Sequence, residues 1–128
     1  IATKMPLSGG TFTGAVTGTT FSDSKGNVRS IIINNKTSAY TLVAADAGKA
    51  IYISSGGVTV PNGVFSAGDA ITIVNNSGSS QTITQGSNVT LYNTADAATG
   101  NRTLLQRGMA TLWWANSSDA YISGSGIE

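Results

Sequence analysis

Short β-prone runs, separated at intervals of about 8–12 residues by Gly, Asn, Asp and Ser, limit the folds open to this chain most strongly. Turn signals such as Asp46-Ala47-Gly48 and Pro61-Asn62-Gly63 fall between the runs, and the runs themselves show no helical periodicity. The predicted strands are Val28–Asn34, Tyr40–Val43, Ala50–Ser54, Val58–Val60, Ala70–Asn75, Gln81–Thr84, Val89–Tyr92, Arg102–Leu105, Met109–Ala115 and Ala120–Ser123. This spacing predicts an all-β fold in which residues 28–128 form an antiparallel β-sandwich or barrel-like head.

Alternation of side chains along the clearest runs assigns each residue to one of the two faces of its strand. The predicted core residues on this basis are Ile51, Ile53, Ile71, Ile73, Leu112 and Trp114. The residues predicted on the opposite faces are Tyr52, Thr72, Val74, Met109, Thr111 and Trp113. One tryptophan of the adjacent pair is therefore expected in the core and the other on the surface.

Residues 1–27 form a leader of different composition, dominated by Gly, Thr and Ser and poor in apolar groups. Such a segment buries too little apolar surface to offset the roughly 1–2 kcal/mol that ordering each residue costs. We expect this leader to become ordered only where copies of the chain wrap around one another. The opening Ile1-Ala2-Thr3-Lys4 is neither a signal peptide nor a natural start, so the chain is expected to be a piece of a longer protein.

The run Met5-Pro6-Leu7-Ser8-Gly9-Gly10-Thr11-Phe12-Thr13-Gly14-Ala15-Val16 resembles a segment that recurs in the tail fibres of tailed bacteriophages. In that family such segments run in threes along the fibre axis. The resemblance covers about a tenth of the chain and implies a homotrimer. The inward contacts that it implies are Leu7, Phe12, Val16 and Phe21.

A second resemblance covers roughly residues 37–124 and lies in the order of several short pieces. The pieces are Thr41–Lys49, Val58–Pro61, Phe65–Ile73, Ala110–Trp113 and Tyr121–Gly124. Their order is similar to that of the C-terminal β heads of phage tail fibres, especially of phages that infect cyanobacteria, although Tyr121 stands where that pattern tends to carry Trp. The resemblance implies an extracellular virion protein whose partners are its own copies, other virion tail proteins and a host cell-surface glycan or lipopolysaccharide.

Charge and residue types exclude several function classes. The formal net charge is +1 without any run of like charges, which gives no electrostatic footprint for nucleic acid. No apolar stretch approaches the roughly 20 residues that cross a bilayer, so we expect no membrane insertion. The chain has no His and no Cys, the usual general base, thiolate nucleophile and transition-metal ligands. We therefore expect no enzymatic activity and no cofactor.

The carboxylates leave one catalytic alternative and one metal alternative open. Glycan hydrolysis needs two carboxylates about 5–10 Å apart, which only the fold could bring together here. Asp46 and Asp69 each adjoin a turn signal and are interpreted as turn caps. Loop 93–101 carries oxygen ligands of the kind that Ca²⁺ prefers but only one carboxylate, so any ion is expected on a threefold axis between protomers.

Glycan binding is the chemistry that the residues support best, because aromatic faces cover the apolar C–H patches of sugars and small polar groups bind their hydroxyls. Trp113, Tyr52 and Tyr92 are the first aromatic candidates for this surface. The polar loops 75–80, 85–88 and 93–101 supply the remaining candidates, Asn76, Asn88 and Asp96.

Three functional hypotheses follow for the whole chain. The leading one is a distal tail-fibre domain that binds a host receptor without cleaving it. The alternative is a structural fibre or adaptor module that docks another virion protein, which an exposed apolar patch without clustered loops would favour. The third is a fibre-borne glycan hydrolase, which two facing Asp side chains in a cleft would favour. The Gly- and Ser-rich end, residues 123–128, is predicted to be flexible.

Overall fold

The computed structural model describes residues 8–128, and the predicted trimer contact Leu7 lies outside that range. The chain is all-β, as predicted, with one short 3₁₀ turn at Ala44–Asp46. Its strands are β1 (Ser22–Asp23), β2 (Gly26–Asn27), β3 (Ile33–Lys36), β4 (Tyr40–Thr41), β5 (Ala50–Ile53), β6 (Val58–Val60), β7 (Ala70–Asn75), β8 (Gln81–Gln85), β9 (Thr90–Asn93), β10 (Arg102–Trp114) and β11 (Asp119–Ile127). Within residues 8–128 no helix is long and apolar enough to cross a membrane.

Strands β3 to β8 alternate between two walls, so that each strand pairs with the strand two positions along the chain. β3, β5 and β7 form the first wall, and β4, β6 and β8 form the second. Because the chain crosses to the other wall and returns between paired strands, all of these pairs are parallel. The prediction of an antiparallel head was therefore wrong for this half of the fold.

Strand β10 joins the two walls. Its first residues, 102–104, pair antiparallel with β8, and residues 109–113 pair antiparallel with β7. A bulge between Leu104 and Met109 lets the strand turn from one wall to the other. The buried amide of Asn75 stabilises this corner, because its Nδ2 lies 3.2 Å from the Leu104 carbonyl oxygen and 2.9 Å from that of Leu105.

Strands β11 and β9 extend the first wall and bring the sheet close to closure. β11 pairs antiparallel with β10 and parallel with β9, so the nine-stranded sheet is nearly closed and barrel-like. Side chains also join the end of β8 to β9 and to the loop before β10: the Gln85 Oε1 accepts the backbone N–H groups of Leu91 and Gly100, and Asn101 Oδ1 accepts the N–H of Gln85. These bonds satisfy backbone N–H groups that have no partner in the pairing between strands.

The core lies between the two walls and confirms the predicted faces. All six predicted core residues are at most 1% exposed, and Trp114 packs its ring against Phe65 with centroids 4.1 Å apart. Trp113 is 46% exposed and Met109 is 56% exposed. The period of two therefore separated the tryptophans correctly.

Three predicted segments differ from the structure. Only the end of the predicted strand Val28–Asn34 is extended, because Asn27 Oδ1 accepts the Arg29 N–H and sets a turn. The two predicted strands between 102 and 115 are one bulged strand. The end predicted as flexible continues β11, where Ile127 pairs with Leu104 and Glu128 exchanges backbone hydrogen bonds with Thr103.

The described part of the leader has little contact with the head before residue 21. Phe12 is 63% exposed and Val16 is 49% exposed, whereas Phe21 is half-buried. The β1–β2 hairpin then returns to the head, where Lys25 Nζ donates to the Ala47 carbonyl oxygen at 2.8 Å. The predicted boundary between leader and head, at residue 28, therefore comes after the β1–β2 hairpin, which already contacts the head.

Candidate functional site

Three aromatic side chains form a row across the outer face of the first wall. Strand pairing sets Tyr121 opposite Tyr92 on one side and opposite Trp113 on the other. The two tyrosine rings stack with centroids 4.9 Å apart and planes 22° apart, and the Trp113 ring is centred 5.9 Å from that of Tyr121. This aromatic row is exposed, since Tyr121 retains 37% of its surface and Trp113 46%.

A shallow groove continues from the aromatic row along β10 and β11. Its side walls carry Thr111 opposite Ser123, and Met109 opposite Ser125. Ala110 and Gly124, which pair between these two positions, also line the groove, and its volume is about 170 Å³. The groove therefore presents hydroxyl groups and one thioether beside the aromatic row.

In β5, β7, β9, β11 and residues 109–114 of β10, alternation places one charged residue on the outer face. This residue is Asp119. It begins β11, two residues before Tyr121 and opposite Thr90. Its Oδ2 accepts a hydrogen bond from Asn116 Nδ2 at 2.8 Å. One carboxylate thus adjoins the aromatic row, and Arg107, an exposed residue of β10, lies two residues from Met109 at the other end of the groove.

The three predicted aromatic candidates lie on this one face. Trp113 and Tyr92 belong to the aromatic row, and Tyr52 lies two strands from Met109, joined to it through Val74. Tyr121, Met109 and Asp119 were not among the predicted binding residues, although Met109 was predicted on the outer face. Alternation along a strand shows which face each side chain lies on, but it does not show which strand pairs alongside. No local pattern could therefore predict that Tyr92 stacks on Tyr121.

The predicted loop residues are not gathered at one tip. Asn76 follows β7 and accepts a hydrogen bond from Arg107 Nη1 at 2.7 Å. Asn88 follows β8 at the opposite end of the walls, with a positive φ of 59°. Asp96 lies in the loop after β9, where its Oδ1 accepts the N–H of Ala98. The structure therefore does not bring the predicted loop residues together into one binding tip.

Asp46 is the centre of a polar cluster at the end of the head that carries β3 and β4. Its carboxylate is 1% exposed and accepts hydrogen bonds from Asn34 Nδ2, the Tyr40 hydroxyl and the Val43 N–H, at 2.8, 2.8 and 2.9 Å. Lys36 Nζ lies 3.9 Å from the centroid of the Tyr40 ring. The cluster closes the exposed end of the core with satisfied polar groups.

The predicted role of the two aspartates as turn caps is confirmed. Asp46 accepts the N–H three residues before it, and Asp69 does the same with Ser66 at 2.9 Å. Each cap precedes a strand of the first wall, β5 or β7. The two positions are therefore equivalent steps in the winding of the chain, although only Asp46 is buried.

Alkaline pH is expected to weaken the fold through Tyr40. Burial, followed by the hydrogen bond and charge of Asp46, raises the pKa of Tyr40 above its ordinary value of 10.0. The folded protein therefore holds the Tyr40 hydroxyl proton more tightly than the unfolded chain does. The stability that this proton contributes is complete below the pKa of Tyr40 in the unfolded chain, and it is lost as pH rises through the pKa of Tyr40 in the folded protein. Urea unfolding of wild type and Tyr40→Phe should show a difference in stability that shrinks above about pH 10. A difference that stays constant up to pH 12 would contradict this linkage.

A second cleft, of about 210 Å³, separates the β1–β2 hairpin from the head. Asp23 is its one carboxylate, beside Lys25, Asn27 and Lys49, and the groove on the first wall contains none. Neither cleft brings together the two facing carboxylates that a glycan hydrolase would need. Within residues 8–128 no group of three His, Cys, Asp or Glu side chains is placed to hold a metal ion.

No family model matches this chain, and no curated protein matches its sequence.

Proposed function

We propose that the chain is the distal part of a phage tail fibre, exposed on the virion, whose head binds a saccharide of the host cell surface without cleaving it. The two sequence resemblances support the fibre assignment. The aromatic row on an exposed, nearly uncharged sheet face carries the assignment of a saccharide as ligand.

The physical case for a saccharide rests on the chemistry of that face. Aromatic rings with part of their surface in water cover the apolar C–H face of a sugar, and they do so without ordering long, flexible side chains. Hydroxyls of Thr111 and Ser123 beside the rings both donate and accept hydrogen bonds, as sugar hydroxyls do. Trp113 and Tyr121 are held on adjacent strands of a rigid sheet, so little conformational entropy is lost on binding.

The leader supports a homotrimer. Residues 8–21 form no strand with the rest of their own chain, and they leave Phe12 and Val16 mostly exposed. Apolar groups that one chain leaves exposed in this way are buried when copies wrap together. Three heads on one shaft would raise the apparent affinity for a surface by about 10²–10⁴ if all can engage.

A structural module that docks another virion protein is the second candidate. The observation in its favour is that the exposed apolar residues lie on a sheet face and not on clustered loops. Ile33 and Met109, at 60% and 56% exposure, extend the apolar surface beyond the aromatic row. A protein partner would cover this whole face, whereas a saccharide would use its aromatic end.

Trp113→Ala tests the proposed function directly. We expect the variant to lose at least tenfold in apparent affinity for glycans printed on an array and for intact cyanobacterial cells, because a stacked ring contributes about 1.5 kcal/mol or more. Ile33→Ala is the matched control, since it removes an exposed apolar side chain from the same face at its far edge. The control should bind as wild type does.

Equal losses for the two variants would contradict a saccharide site and favour protein docking over the whole face. Light scattering on the isolated chain tests the trimer separately. A mass near three times 13.0 kDa supports it, and a monodisperse monomer contradicts the wrapped leader.

A further inference from the structure

We infer that the ligand is an uncharged oligosaccharide lying along β10 and β11, and that Asp119 selects it by accepting sugar hydroxyls and repelling acidic sugars. The inference rests on the proposed function and specifies the class of ligand that the same surface takes.

The direction of the ligand follows from the shape of the surface. The aromatic row stands at one end, the Thr111–Ser123 pair follows, and the Met109–Ser125 pair lies at the far end. Trp113 and Met109 are four residues apart, or about 13 Å along an extended strand. That length exceeds one sugar ring, so the groove suits linked rings, the first of them stacked on the aromatic row.

Asp119 is placed to bind the ring that stacks on Tyr121. The two residues share a face and are about 7 Å apart along β11. Asn116 occupies the Oδ2 of Asp119, whereas no group within residues 8–128 donates to its Oδ1. A carboxylate oxygen of this kind accepts hydroxyl hydrogens in charge-assisted bonds, which are stronger than bonds between neutral groups.

The same charge sets the selectivity against acidic glycans. A uronate, sialate or sulfate group on the ring that stacks on Tyr121 would lie close to Asp119, and like charges repel most where water is displaced. The strand residues of the outer face that surround Asp119 include no Lys or Arg to compensate such a group. Neutral hexose or deoxyhexose chains meet the site without this cost.

The test measures binding of wild type and Asp119→Asn to an array that carries neutral oligosaccharides of one to four units beside uronate- and sialate-containing chains. Wild type should prefer neutral chains and bind the longer ones more tightly. Asp119→Asn should bind neutral chains about tenfold more weakly, because it replaces a charge-assisted acceptor, and should lose most of its preference over acidic chains.

Asp23→Asn is the charge-matched control, since Asp23 lies on the exposed β1–β2 hairpin and its Oδ1 accepts the Lys25 N–H. The control should keep both the affinity and the preference of wild type. A loss in Asp23→Asn equal to that in Asp119→Asn would overturn a specific role for Asp119.

The proposed function and this inference fail in different ways. If Trp113→Ala loses glycan binding while Asp119→Asn keeps the wild-type preference, the saccharide site stands and the inference is overturned. If wild type binds acidic chains as well as neutral ones, the inference is overturned as well. If wild type binds no glycan on the array and Trp113→Ala adsorbs to cells normally, the proposed function fails and the inference fails with it.

Discussion

Trp114→Ala is expected to lower the free energy of unfolding by about 3–5 kcal/mol, a large share of the 5–15 kcal/mol typical of a whole domain. The indole is completely buried, and its ring packs on Phe65 at the end of the core near the turns that enter β7 and leave β10. Truncation removes the largest buried side chain and leaves a cavity that rigid strands close only in part. Urea unfolding followed by far-ultraviolet circular dichroism measures the loss.

Two further variants separate packing from other contributions of the tryptophan pair. Within residues 8–128 no protein group accepts a hydrogen bond from Trp114 Nε1, so Trp114→Phe gives up volume without breaking such a bond. It should lose about 1–2 kcal/mol, well under the alanine variant. Trp113→Ala, one residue away on the outer face, should lose less than about 1 kcal/mol. A Trp113→Ala loss as large as that of Trp114→Ala would contradict the assignment of the two faces.

The sequence predicted the strands well wherever the signal is local. Val58–Val60 and Ala70–Asn75 have the predicted bounds, and the burial of Ile71 and Ile73 follows from their alternation with polar residues. Alternation depends only on backbone geometry within one strand. It is therefore visible in the sequence without knowledge of which strand lies alongside.

Strand partners could not be predicted in the same way. A short turn after β3 or β5 normally indicates a hairpin with the following strand. Here each of these turns carries the chain to the other wall instead, so β3 pairs in parallel with β5, and β5 pairs in parallel with β7. The two arrangements use the same turn residues and the same alternation. They differ in contacts between residues far apart in the chain, which no local pattern records.

The same limit applies to the candidate site. Trp113 could be chosen from the sequence because the period of two separates it from Trp114. Tyr121 and Asp119 could not, because their importance comes from the parallel pairing of β11 with β9, which brings Tyr121 onto Tyr92. The predicted loop residues Asn76 and Asn88 failed to meet for a related reason, since β8 separates the two turns that carry them.

Asp46→Ala is the second substitution with a large expected effect, a loss of about 2–4 kcal/mol in the free energy of unfolding. The buried carboxylate accepts three hydrogen bonds, and its removal leaves the Asn34 amide, the Tyr40 hydroxyl and the Val43 N–H without their acceptor. These donors are part-buried, so water replaces the lost acceptor only incompletely, and an unpaired donor of this kind costs more than the net worth of its bond.

Asp69→Ala is the matched control, because Asp69 is only half-buried and caps the equivalent turn before β7 through one solvent-exposed bond, from the Ser66 N–H. Water can replace that bond, so the control should lose about 0.5–1 kcal/mol, the usual worth of an exposed cap. Equal losses for the two variants would show that turn capping alone accounts for Asp46. If the polar cluster closes the core, the loss at Asp46 should exceed that of the control by about 1 kcal/mol or more. The reason is that Asp46, unlike Asp69, holds β3, β4 and the turn into β5 together through its hydrogen bonds.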